Sequence, residues 1–186
     1  MNPASLHLSR LTIALHWTLA LAMIGLTAVG LYMVEFEAWA LYPIHKSIGL
    51  LLLPLALARA AWRLKEGWPP AASPATALQQ TLAKAVHGLL LLCTLAMPIS
   101  GMSYSGASGH GFGIFGLTLM HHNEDPQRPG QVLPLHEGLS QLAHGVHSAL
   151  GYLLIALLLL HVVGALKHHL LDRDATLLRM LGRSGH

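Results

Sequence analysis

The stretch "HSALGYLLIALLLLHVVGALKHH", residues 147–169, contains no acidic residue and has a single formal charge, Lys167, near its far end. A helix that crosses a bilayer needs about 20 mainly apolar residues, and this segment reads as one. Yet it carries imidazoles at His147 and His161, fourteen residues apart. At 1.5 Å per residue the two rings stand about 21 Å apart along the axis. Fourteen steps of about 100° return to within roughly 40° of the start, so the rings share a face. One sits in the outer part of a membrane and one in the inner part.

The rest of the composition agrees with a bilayer. The chain has 186 residues, 53% hydrophobic and 10% charged, with a mean hydropathy of +0.52. Soluble domains carry roughly 25% charged residues. Residues 1–186 are expected to form one membrane domain, an all-α four-helix bundle. The spans are placed at about 11–34, 45–64, 84–104 and 139–168, and Pro98 is expected to kink the third. The apolar run of the first is too long for a signal peptide h-region of about 7–15 residues, so an uncleaved helix is preferred. Residues 66–77 form a Pro-rich link. Residues 105–138 form a longer one, in which "FGIFGLTLM" is apolar but too short to span, and is expected to lie at the interface or re-enter.

Charge sets the direction. One side carries Arg10, Arg59, Arg63, Lys65, Lys84, Lys167, Arg173, Arg179 and Arg183, the other only Lys46 and Arg128. By the positive-inside rule both termini are cytoplasmic, and the 105–138 loop lies on the opposite side of the membrane. The scattered Lys and Arg residues form no face for nucleic acid. Cys93, the single cysteine, excludes an intrachain disulfide, a Cys-x-x-Cys-His haem attachment and cysteine-ligated iron–sulfur clusters.

Histidine is the outlier, with 14 residues. Measured from the inner basic flank, His161 lies six residues inside Lys167 and His16 six inside Arg10. His147 lies twenty outward of Lys167 and His45 twenty outward of Lys65. Two imidazole pairs at two depths suit bis-histidine ligation of two b-type haems, His16 with His161 and His45 with His147. A bundle core is where such cofactors are held, by side chains on facing helices. His144, one turn before His147, is an alternative outer ligand. Arg59 lies level with the inner pair, placed either for a haem propionate or to snorkel to the headgroups. His87, His168 and His169 lie toward the inner surface, facing headgroups, solvent or a substrate. His7, His110, His121, His122, His136 and His186 are assigned no role.

The segments "RLTIALHW" (10–17), "IHKSIGLLLL" (44–53), "KAVHGLLLLCTLAMPISG" (84–101), "FGLTLM" (115–120) and 147–181 together resemble the bacterial cytochrome b561 family. That resemblance implies a four-helix, dihaem inner-membrane cytochrome with the same two histidine pairs. It implies electron exchange between a periplasmic donor or acceptor and the membrane quinone pool, ubiquinone or another. In some members the donor is superoxide. It places His168, in "ALKHH", at the quinone end. Quinone reduction consumes protons, and His168, His87 or His169 is placed to relay them from the cytoplasm.

For an anionic donor the outer charge is unfavourable: Glu35, Glu37, Glu124, Asp125 and Glu137 face only Lys46 and Arg128. A periplasmic redox protein docking on the long loop is the other candidate donor. Two further classes remain open from the sequence. One is a haem-bearing anchor subunit of a larger redox complex. The other is a transition-metal carrier using His144 with His147, or His121 with His122.

Overall fold

The computed structural model describes residues 8–70, 72–73 and 75–183; His7 and His186 lie outside them. The fold is mostly helical: α1 (Arg10–Glu35), a 3₁₀ turn (Trp39–Leu41), α2 (Tyr42–Glu66), α3 (Ala77–Ala107), α4 (Glu137–Leu170) and the short α5 (Thr176–Met180). The first four helices are each long and apolar enough to cross a membrane. Large apolar side chains such as Leu21, Leu64, Leu142 and Leu159 are exposed along them. That distribution makes lipid, not water, the outer solvent of the bundle.

Local chemistry sets the helix ends. Ser9 caps α1 by accepting from the Thr12 amide at 3.1 Å. Gly67, at φ +71, closes α2. Thr76 and Gln79 form a capping box that starts α3 about two turns before the apolar run begins. His136 caps α4, its Nδ1 accepting from the Leu139 amide at 3.0 Å. Pro54 and Pro98 both lie inside helices.

Besides the helices, the Gly-rich link folds as an antiparallel hairpin of β1 (Phe112–Ile114) and β2 (Leu117–Met120). Its two turn residues, Phe115 and Gly116, have φ of +43 and +95, the backbone of a type I′ turn that matches strand twist. The glycines are needed where backbones touch. A Cβ at Gly109 would meet the Leu133 carbonyl oxygen at 2.1 Å, and one at Gly111 the Met120 carbonyl oxygen at 2.3 Å. α2 anchors this hairpin: the Phe115 amide donates to Ser47 Oγ at 3.0 Å, and Lys46 Nζ donates to the Gly111 carbonyl at 3.0 Å.

The opposite end carries the start of α1 and the short α5. There Trp17 Nε1 donates to the Met180 carbonyl at 2.8 Å, and Arg179 Nη1 to the Pro70 carbonyl at 3.1 Å, seating α5 under the bundle. Between the two ends lies one packed layer, drawn from all four long helices: Leu19, Met23, Leu52, Ala56, Cys93, Leu154 and Leu157. Neighbours in sequence pack against each other, α3 on α4 most extensively. α1 with α4, and α2 with α4, touch only marginally.

Candidate functional site: two histidine pairs

Two of the helix pairs that touch least, α1 with α4 and α2 with α4, carry facing histidines. At the terminal end, His16 of α1 faces His161 of α4 with ring centroids 6.1 Å apart. At the hairpin end, His45 of α2 faces His147 of α4 at 6.4 Å. A metal–imidazole bond of about 2.0 Å, plus about 1.1 Å from nitrogen to ring centre, puts two trans imidazoles about 6.2 Å apart. Both pairs have the separation that one bridging iron needs. His87 does not: its ring meets His161 edge-on at 5.0 Å, too close for an ion between them. His144 lies against Tyr104 at 4.9 Å and is exposed, so His147 is the ring that faces His45.

The surroundings of each ring decide which nitrogen is free. His147 Nδ1 lies 3.1 Å from the Met97 carbonyl and 3.0 Å from Ser100 Oγ. A carbonyl only accepts, so Nδ1 carries the proton and Nε2 keeps its lone pair, as a ligand requires. The ring packs so close to α3 that a Cβ at Gly101 would stand 3.1 Å from its Cε1. Across the pair, a Cβ at Gly30 would stand 3.4 Å from His45 Cε1. Among the described residues His45 Nδ1 is buried with no hydrogen-bond partner, an orphaned polar atom. Sequence reasoning missed Gly30, Ser100 and Gly101; glycine and serine on one face of apolar spans were the available signal.

At the inner pair, Arg59 Nη2 donates to His16 Nδ1 at 3.0 Å. A guanidinium only donates, so in this contact the neutral ring holds its proton on Nε2. Ligation through Nε2 and this contact therefore exclude each other, and a ligating His16 leaves Arg59 in want of another acceptor. A haem brings one in its propionates, so the donor set fits the group. The cavity here is lined by His16, His161, His87, Arg59, Arg63 and Trp68 at its polar end, and by α1, α3 and α4 aliphatics elsewhere.

His168 is not among the residues lining that cavity. Its Nδ1 lies 3.0 Å from both Asp172 and Asp174, and Asp174 also accepts from Ser73 Oγ at 2.8 Å. Among the described residues, His168, Asp172 and Asp174 are the group with metal-like spacing, but they are tied to Lys167 and Ser73 as a helix terminus. The metal candidates of the sequence are not so arranged: His144 stacks on Tyr104, and His122 pairs with Glu124 at 2.9 Å. His169 is half-buried in the last turn of α4.

Residues 7–183 match a family model described as prokaryotic cytochrome b561. The chain is 35% identical over 179 residues to cytochrome b561 homolog 2 of Escherichia coli (strain K12), covering 92% of this chain and 89% of that one. It is 27% identical over 177 residues to a probable superoxide oxidase, CybB, of Yersinia pestis, covering 93% and 94%. Cytochrome b561 homolog 1 of Escherichia coli (strain K12) is 27% identical over 186 residues, covering 94% and 97%.

Proposed function

The chain belongs to the prokaryotic cytochrome b561 family, and from that premise we propose that it is a dihaem b-type cytochrome moving electrons between a donor at its hairpin end and a membrane quinone at its terminal end. The observation that carries this reading is the pair of imidazole separations, 6.1 and 6.4 Å, on helix pairs whose other contact is slight. Haem, held by His16 with His161 and by His45 with His147, would supply one-electron transfer.

The protein's own residues do the rest. His147 is oriented by Met97 and Ser100, and Gly30 and Gly101 make room for the outer rings. Arg59 offers its guanidinium to a propionate at the inner pair. The Leu19–Leu157 layer between the pairs excludes water and ions, so charge crosses as electrons only. Reducing one quinone takes two electrons and two protons. His87 borders the inner cavity and His168 stands at the same end, both suited to deliver protons there. The basic bias of the terminal side supports a cytoplasmic placement of the termini and a periplasmic hairpin. The donor is then periplasmic, and the similarity to a probable superoxide oxidase makes superoxide a candidate, oxidised to dioxygen as each electron enters.

Purified protein examined by pyridine haemochrome is expected to contain two haem b per chain, with low-spin reduced bands. His16→Leu and His147→Leu are each expected to lower that to one. A wild-type protein that binds no haem, even on reconstitution, would overturn the reading.

A further inference from the structure

The inner cavity holds more cationic charge than its ligands call for. Arg59 and Arg63 lie one turn apart on α2 and both line the cavity beside His16 and His161. Like charges four residues apart on a helix repel. None of the ion pairs among the described residues involves either arginine. Glu66, the acid nearest in sequence, turns its carboxylate to Thr12 instead. Arg63 spends one donor on the Gly67 carbonyl at 2.9 Å, and its guanidinium stands 5.4 Å from the ring centre of Trp68. Trp68 in turn lies 6.0 Å from His87. Most of the ten N–H donors on the two guanidiniums have no acceptor among these contacts. Two unbalanced cations in an apolar cavity ask for a dianion.

We infer that Arg59 and Arg63 form a dicarboxylate clamp: together they bind both propionates of the porphyrin held by His16 and His161, which fixes its acidic edge toward the terminal end. This rests on the dihaem reading and extends it. Trp68 is a positioning residue, holding Arg63 over the mouth of the cavity by its π-face. The clamp also gives Arg59 carboxylate acceptors in place of the His16 ring nitrogen that it meets at 3.0 Å.

The test uses the full-length chain carrying His147→Leu, which leaves one histidine pair, titrated in detergent with haem b and with its dimethyl ester while the Soret band is followed. The ester lacks the charge-assisted acceptors, and is expected to bind about tenfold weaker or more. Arg63→Gln is expected to weaken haem binding and to remove most of that discrimination, and Arg63→Lys to keep part of it. Equal affinities for haem and ester overturn the clamp while leaving the cytochrome reading intact. Discrimination that survives Arg63→Gln in full overturns the part given to Arg63. Binding of neither compound overturns the cytochrome reading itself. The ester comparison is made on a chain with both arginines, so it decides the matter even where Arg63→Gln misfolds.

Discussion

Gly101 has no side chain, and the ring of His147 occupies the space that one would need. A Cβ there would lie 3.1 Å from His147 Cε1 and 3.4 Å from Nδ1. Alanine asks the ring to give by a few tenths of an ångström, whereas valine adds two methyls against a ring already held by Met97 and Ser100. Gly101→Val is therefore expected to displace His147 and, on the proposed dihaem reading, to lower haem content from two per chain toward one, with Gly101→Ala between. Haemochrome quantification checks this, and full loading of the valine variant would show the ring free to move. At this scale the two facing histidine pairs were legible in the sequence, because helical periodicity converts numbering directly into depth and face. Their supports were not. Ser100 and Gly101 sit on α3, and nothing in residue order says that α3 passes beside His147 rather than beside His45. Trp68 and Arg63 escaped notice for a similar reason, since their meeting depends on how Gly67 turns the chain out of α2.

The elements that hydropathy marks are the four spans, and the structure places them within a few residues of expectation except at the start of α3. That helix begins at Ala77 because of the Thr76–Gln79 capping box, which is polar and so invisible to an apolar-run criterion. The hairpin escaped because each strand is only three or four residues long and depends on glycines that let backbones meet. α5 escaped because five residues carry no periodicity, and its place is set by Asp174. The carboxylate of Asp174 is buried, which alone would raise its pKa. Hydrogen bonds from the Thr176 side chain and amide and from Ser73, with the charge of His168, outweigh that and hold it below the usual carboxylate range. A depressed folded value means that the stabilisation is full above the unfolded pKa, about 3.9, and is lost as pH falls through the lower folded value. Asp174→Asn should accordingly melt below wild type at neutral pH, with the gap closing as the pH drops below about 4. A gap independent of pH would assign the effect to packing and not to the charge.

For the whole molecule the most telling feature is what does not touch. α3 packs along α4, and α2 along α1 and α3, but α1 and α2 each stand off α4 where their histidines face it. A bundle with slots on two sides of one helix has given up packing that direct helix contact would supply, and in lipid no hydrophobic force closes the gap. Ligand bound to the folded state then becomes part of its stability, by RT ln(1 + [L]/Kd), about 4 kcal/mol at a thousandfold excess over Kd. Removing haem is thus expected to loosen α1 against α4 while leaving the α3–α4 contact in place. Hydrogen exchange in detergent would show this as deprotection concentrated in α1, in the His45 end of α2 and in the 171–183 segment that leans on Trp17. Refilling with haem should restore protection in those segments together with the melting temperature. Were the haem-free chain equally protected throughout, the slots would be closed by direct packing. The 6 Å histidine separations would then be an incidental consequence of the bundle rather than the reason it is held open.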